Sequence, residues 1–495
     1  MGLPIEQDYR QLAAQGMNRH EAITTAFVRM IVEGRLAPGT RLPTVRSLSS
    51  QLGVSGATVA TAYRMLNQRG WVRGEVGRGT FVVGPRDVPP PNGAPVARNP
   101  WRRRTVLASA ARLRSMYPDA LDCTSGKPDP TLLHTGILMR SWRAALDETD
   151  PQDLQYASPE PVPALADAIL RRLDRDGISG AGVGMVVGSS AQQLMVLSLA
   201  VTPAVNGSNP KVVAVEEPGY QTVFDAFEYV GYRLVGMTVD GEGVRPQALD
   251  MALASGARAV LFTPRAHNPT GASWSPARRI ELSQVLSRYP GVIAIEDDQF
   301  ADLARGRPGS LLNHPQLADR VIYIRSFSKA IAPDLRVAVG VAQPRLVNLL
   351  TEAKSFTDGW SSRLSQRALA HLLTDPDLDP ALDASRRVYD HRREVAKDIL
   401  AEHLARLGGS VRGEDGLSLW VQLCPGMDAG NVIERAGGQG VLVTPGEPFF
   451  IRPGRNDVLR MSISNVDEAG AIAAAGRLAS VLQDTSAVPA TTIPI

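Results

Sequence analysis

A chain of 495 residues, 44% of them hydrophobic, can form two or three domains with sizeable buried cores. Its formal net charge of +3 hides an asymmetry: residues 1–118 hold 17 Arg, no Lys and 6 acids, a charge of +11, which leaves 36 basic against 44 acidic side chains beyond them. A solvated charged face would not confine its excess to one end, whereas a basic arm beside an acidic body is the electrostatic footprint of nucleic-acid binding by the arm. Cys123 and Cys424 lie far apart without metal-ligand spacing, which argues against a disulfide framework and a zinc site. The N-terminus lacks a basic region followed by an apolar run, Glu6 does not fit a myristoylation signal, and no uninterrupted apolar stretch could span a bilayer. The expectation is a soluble, cytoplasmic protein with no membrane contact and no bound metal.

In chain order, residues 20–34 put Ile23, Phe27, Met30 and Ile31 on one helical face, and Gly34 ends the helix. A turn at 37–40 (Ala-Pro-Gly-Thr) leads into Leu42-Pro43-Thr44-Val45-Arg46, which opens a second helix stopping at Gly53. Ser55 suits the N-cap of a third helix running to about Arg69, with Val59, Tyr63 and Leu66 as its buried side. Two short strands follow, one from Trp71 and one over 77–82, joined by a glycine-bearing tip. Three helices and a hairpin make an α+β winged helix-turn-helix. Through Pro38-Gly39, Leu42 to Arg46, Val54-Ser55, Thr58-Val59, Ala62-Tyr63, Leu66, Gly70 and Gly77 to Thr80 this part resembles the GntR family of DNA-binding domains over about residues 18–83. In that reading Thr44 and Arg46 of the second helix, Ser55, Thr58, Thr61 and Arg64 of the third, and Arg78 at the wing tip face double-stranded DNA.

From Gly84 to about Asn99 the chain is rich in Pro, Gly, Asn and Ala, and it then runs through Arg102-Arg103-Arg104. This composition reads as a semi-rigid extended spacer. The domain plan is therefore 1–84 winged helix, 85–118 linker, 119–484 a second globular part and 485–495 a flexible tail. In the second part, Val186-Val187, Lys211 to Val215, Ala259 to Thr263, Val292 to Ile295, Val321 to Ile324 and Ala338 to Val341 read as buried strands. Helical stretches such as 191–201 and 276–289 lie between them, an alternation that points to a largely parallel sheet with helices on both faces.

The loops after these strands carry the chemistry. Lys329, in Ser326-Phe327-Ser328-Lys329, is an amine nucleophile if desolvation and nearby cations bring its pKa toward neutral. Arg336, seven residues on, offers a planar fork for a phosphate, with Ser326 and Ser328 adding hydroxyls. Asp297 can keep a pyridine nitrogen protonated, and Asn268, in Asn268-Pro269-Thr270-Gly271, can donate to a ring hydroxyl. Ser190, Ala191 and Gln192 open a helix whose free amides suit a phosphate, and Tyr220 can stack on a ring. Arg460 can fork onto a ligand carboxylate. Singly, each has an ordinary reading as a turn, a strand-end acid or a surface arginine.

Together they make residues 119–484 similar to the fold-type I aminotransferases, with a mostly parallel large domain and a small C-terminal α/β subdomain. The resemblance implies pyridoxal 5'-phosphate held by Lys329, a ligand-contacting glycine at Gly126, and a tyrosine, Tyr156, that reaches the phosphate of a second subunit in a homodimer. The whole chain resembles the MocR/GabR regulators. That implies a transcription regulator sensing an amino acid or amine through external aldimine formation. An active aminotransferase with a DNA-binding appendage is the alternative, and an inert dimerisation body a third possibility. Gln299-Phe300 follows Asp297-Asp298 where relatives carry a tyrosine, Ala191 replaces a phosphate-contacting serine, and Glu160 to Pro163 replaces a glycine-containing turn. Loss of a donor to the ring oxygen raises the aldimine pKa, so weak or vestigial transamination is expected.

Overall fold

The computed structural model describes residues 5–14, 17–32, 35–36, 39–68, 72–75, 79–82, 100–206 and 211–486. The chain divides into two compact units, Met1–Ala97 and Arg98–Ile495.

In the first unit the helix Arg19–Val32 buries Ile23, Phe27, Met30 and Ile31, the face expected from their spacing. The helix Val45–Leu52 is bracketed by local chemistry. Thr44 Oγ1 accepts from Ser47 N at 3.2 Å, and Gly53, at φ 66°, turns the chain left-handed while its N–H returns to Ser49 O. Ser55 Oγ accepts from Thr58 N at 3.1 Å and starts the helix Gly56–Gln68. That helix buries Val59, Tyr63 and Leu66, with the Tyr63 ring edge-on to Phe27 at 5.9 Å. The strands Val72–Glu75 and Gly79–Val82 pair antiparallel. An additional helix, Glu6–Ala14, buries Tyr9 and Leu12 in the same core. Two apolar residues three apart in nine are too short a pattern to announce it. Gly34, Pro38, Gly70, Gly77 and the wing residue Arg78 lie outside the described residues.

The second unit begins earlier than the spacing of apolar runs suggested. Of the stretch 85–118, expected as a linker, residues 85–99 lie outside the described residues, but Trp101–Met116 form a 16-residue helix packed into this unit. The partners that bury Arg102 lie far away in sequence, so the charged start of this helix carries no local sign of burial. At the other end the helix Glu468–Ser486 takes in residues 485 and 486 of the expected tail, and 487–495 lie outside the described residues.

All six expected strands form, within one eight-stranded sheet. Its order is Gly184–Gly188, Ala338–Ala342, Val321–Ser326, Ile293–Asp298, Ala259–Phe262, Val212–Glu217, Arg233–Asp240 and Gly243–Val244. The four central pairings are parallel, and Ala338–Ala342 runs antiparallel to both neighbours. Alternate side chains go to opposite layers: Val213, Ile293, Ile295 and Ile322 join the helix Ala191–Asn206 on one face, while Val212, Ala214, Ala294 and Val321 join the larger core on the other. Burial on both faces is why these strands read as unbroken β-branched runs. A smaller four-stranded sheet, in the order Ser410–Arg412, Ser418–Gln422, Val458–Ser462 and Thr444–Pro445, packs with the long helix Leu378–Leu407. Among the described residues no helix is long and apolar enough to cross a membrane.

The two sheets meet at Gly271. Its φ is +73°, and an added Cβ would sit 2.6 Å from Asp415 O and 3.0 Å from Glu414 N, both backbone atoms. Gly271→Ala should therefore lower stability by about 2–3 kcal/mol in thermal or urea unfolding, combining backbone strain with a clash that cannot relax. Gly231→Ala, at φ +89° with nothing near the added methyl, should cost only about 1 kcal/mol. Equal losses in the two variants would remove the close approach as the cause.

Candidate functional site

The parallel register sets Asp297 opposite Ile324, so the ends of Ile293–Asp298 and Val321–Ser326 open onto one edge, where ligands of open α/β sheets bind. There Lys329 Nζ donates to Gly126 O at 2.8 Å. Burial, then the Arg460 guanidinium, lower the Lys329 pKa from 10.5 to about 8, against the opposing pull of Asp297. Asp297 is buried, and its pKa rises to about 7 through desolvation and the neighbouring Asp298, with Lys329 drawing it back. Its Oδ1 has no hydrogen-bond partner, and neither does Asn268 Oδ1. A buried carboxylate with a free oxygen, close to its ionisation point, suits a protonated ring nitrogen, which would return it fully to the charged form.

Arg460, on the strand Val458–Ser462, is also buried, and desolvation lowers its pKa to about 10. The guanidinium reaches the carbonyl of Thr124 at 3.5 Å and lies 5.7 Å over the Phe449 ring. An added Cβ on Gly126 would stand 2.6 Å from Arg460 Nη2, so glycine leaves the guanidinium its place. A cavity between the two sheets brings together Gly126, Asn268, Gln299, Phe300, Lys329 and Arg460, with Asp415 and Ser418 from the small-sheet side. A cationic fork and a near-neutral amine thus share one cleft, with the buried Asp297 close enough to the amine to act on its charge.

Beneath it lies a layer that sequence reading missed. Glu216 accepts from Thr263 N at 3.0 Å, and burial raises its pKa to about 8, so it is mostly protonated at neutral pH. Its Oε2 stands 3.3 Å from His267 Nε2, in a geometry that is not a hydrogen bond. Burial also drives His267 to about 3, so the ring is neutral, with Nδ1 at 2.8 Å from Thr270 Oγ1. On the other side Asp298 pairs with Arg265 at 2.7 Å and accepts from Tyr323 OH at 2.6 Å.

The remaining expected residues are not among those that line this cavity. Ser326 is buried and its Oγ faces the Ser328 amide at 3.4 Å. Arg336 is exposed and holds a left-handed conformation, φ 56° and ψ 43°, unusual for a residue with a side chain. The helix at Ala191 opens as expected, with Ser190 Oγ accepting from Gln193 N at 3.2 Å. Gln192 is exposed, whereas Gln193 turns back so that its Oε1 accepts from Ser189 N at 2.7 Å. Tyr220 occupies the N-cap position of the helix Gln221–Tyr229, near the Arg460 guanidinium. Tyr156 is 90% exposed and edge-on to Trp360 at 5.4 Å. In the first unit Arg46, Ser55 and Arg64 are exposed and Thr58 and Thr61 partly so, while the hydroxyls of Thr44 and Ser55 are engaged as helix caps.

Comparison with known proteins agrees with this geometry. The profile "Aminotransferase class I and II" matches residues 126–478, and "Bacterial regulatory proteins, gntR family" matches residues 20–82. The chain is 30% identical to the Vitamin B6 salvage pathway transcriptional repressor PtsJ of Salmonella typhimurium, across 89% of this chain and 93% of that protein. It is 26% identical to the HTH-type transcriptional regulator TauR of Rhodobacter capsulatus, across 98% and 100%. Among solved structures, LysN, the alpha-aminoadipate aminotransferase of Thermus thermophilus, superposes with a TM-score of 0.65 at 27% identity, covering 78% of this chain and 97% of that one. The multiple substrate aminotransferase of Thermococcus profundus gives 0.68 at 25% identity, covering 76% and 94%. The buried, unpartnered donors and acceptors of the cleft fit pyridoxal phosphate, the cofactor of this fold. The chain belongs to the aminotransferase class I and II family and, with its gntR-family head, to the transcriptional regulators of MocR type.

Proposed function

We propose that the protein binds operator DNA as a homodimer and that an amino acid or amine, meeting pyridoxal phosphate at Lys329, alters that binding. The observation that carries this reading is the convergence of Lys329, Asn268 and Arg460 on one cleft, with Asp297 acting on the Lys329 charge, in a chain that also carries a winged helix. When bound, the cofactor supplies an aldehyde that condenses with amines and a ring that withdraws electrons. The chain's own residues do the rest. Lys329 offers an amine that is partly neutral at pH 7, and Asp297 holds the ring-nitrogen proton. Asn268 orients the ring oxygen, and Arg460 selects ligands with a carboxylate. The name of PtsJ ties that relative to vitamin B6 salvage, so loading of the cofactor itself is a second event to compare with amine binding.

The second reading, slow transamination, is favoured by the same complete set of groups. Gln299 stands in the cavity where a phenol would donate, which weakens proton handling. Turnover of an amino donor with a 2-oxo acid separates the two readings.

Borohydride reduction of the cofactor-loaded protein should fix the cofactor on Lys329, mapped by peptide mass, and Lys329→Ala should lose the adduct while keeping its fold. Because the Lys329 pKa is lowered to about 8, the loading rate of the apo-protein should climb from pH 7 and level off above that value. Arg460→Leu removes a repelling cation, which stabilises the ammonium and moves the whole profile to higher pH. An adduct on another lysine, or an unmoved profile, sinks the assignment.

Exposure of Tyr156 beside Trp360 supports a partner subunit covering this corner of the site. Sedimentation at micromolar concentration should give a dimer with or without DNA, and a monomer would contradict the proposal.

For DNA, Arg46→Ala should cost about 1–3 kcal/mol and relax specificity at one position if Arg46 reads a base. If it contacts phosphate, all sequences weaken alike and the salt slope drops by about one. Unchanged affinity in both Arg46→Ala and Arg78→Ala would refute this docking.

A further inference from the structure

We propose that Arg102 couples the ligand site to the chain segment that leads to the winged helix, by clasping the two walls of that site together. The inference rests on the regulator reading and deepens it. Arg102 is 1% exposed, and its guanidinium uses all five of its N–H donors. Nε donates to Phe450 O at 3.0 Å, and Nη1 to Asp225 Oδ1 at 3.0 Å and Glu228 Oε2 at 2.7 Å. Nη2 donates to Glu228 Oε1 at 3.2 Å and Ile451 O at 2.5 Å. The next residue adds a backbone bond, Arg103 N to Asp225 Oδ2 at 2.8 Å.

The acceptors belong to two different elements. Asp225 and Glu228 lie on the helix Gln221–Tyr229, which starts at Tyr220. Phe450 and Ile451 follow Phe449, whose ring lies 5.7 Å from the Arg460 guanidinium and whose carbonyl accepts from Gly219 N at 2.8 Å. One wall thus carries the expected ring-stacking tyrosine and the other packs on the expected carboxylate-binding arginine. A planar fork with fixed donor directions cannot keep all five bonds if the walls shift relative to one another. Arg102 therefore responds to the separation of Tyr220 and Arg460. Along the chain, residues 83–101 lead from the last strand of the winged helix, Gly79–Val82, to Arg102. Such a device acts through a coupling free energy, and only a coupling measurement tests it.

The test uses the full chain without cofactor and N-(5'-phosphopyridoxyl)-L-leucine, the conjugate held in the LysN structure, as a stable stand-in for cofactor plus amino acid. Affinity for the DNA upstream of its own coding sequence and amide exchange of residues 98–104 are measured with and without conjugate, each variant saturated by its own absorbance titration. In the native protein, conjugate should change DNA affinity about fivefold or more and alter exchange at 98–104. In Arg102→Lys and Glu228→Gln, the DNA response should fall below about twofold and the exchange should no longer depend on conjugate. Thermal unfolding checks the fold, and Glu228→Gln, at a partly exposed site, carries the test if Arg102→Lys does not fold. Folded, saturated variants with the native response overturn the clasp and leave the regulator reading standing. A native protein that binds both conjugate and DNA without any response overturns the regulator reading and the clasp with it.

Discussion

The central constraint is the proton balance of one dry cleft. Lys329, Asp297 and Arg460 are all desolvated, and burial is the largest cause of each shift. Burial and Arg460 push the lysine toward the neutral amine, while burial and Asp298 push the aspartate toward the neutral acid. A neutral nucleophile and an acid able to hold a ring-nitrogen proton are what amine chemistry on an aldehyde cofactor needs. In water the lysine would be an ammonium, which has no lone pair to offer an aldehyde.

That balance requires the nearest charge to be held still. Asp298 adjoins Asp297 and is tied by Arg265 and Tyr323. Arg265 also reaches Asp176, which pairs with Arg325 at 2.8 Å, and Arg325 pairs with Asp302 Oδ1, the same oxygen that accepts from Arg172. Three arginines and three aspartates form one buried, charge-matched lattice across the strand ends. Its worth to stability is modest, because desolvation of six charges offsets their attraction. Its effect on geometry is larger. With its charge matched, Asp298 cannot swing toward Asp297, and the strands it joins keep their register.

The cleft is built from both sheets, and this explains why a ligand there can be felt elsewhere. Lys329, Asn268 and Asp297 come from the large sheet, while Arg460 comes from the small one and Gly271 fixes a point where their backbones touch. A ligand that holds its amino end at Lys329 and its carboxylate at Arg460 spans that junction. Closure around ligands by sliding packed elements is a common response of such two-part sites.

Much of this was legible in the residues. Strands buried on both faces must be continuous and β-branched, so Val212–Glu217, Ile293–Asp298 and Val321–Ser326 stood out, and turn chemistry marked Asn268 and the cap Ser55. Short-range geometry decides such features, and short-range geometry is written in neighbouring residues. Features that depend on distant partners were not legible. Arg102 read as part of an extended spacer because its acceptors lie 123 to 349 residues further along the chain. The approach of Glu216 to His267 and the bond from Ser189 N to Gln193 Oε1 likewise belong to the folded chain. Chain order and local pattern determined which chemical groups this protein owns and the class of fold that carries them. Only the tertiary structure decided which groups lose water and meet, because desolvation and long-range contact belong to the folded arrangement and not to any single stretch of the chain.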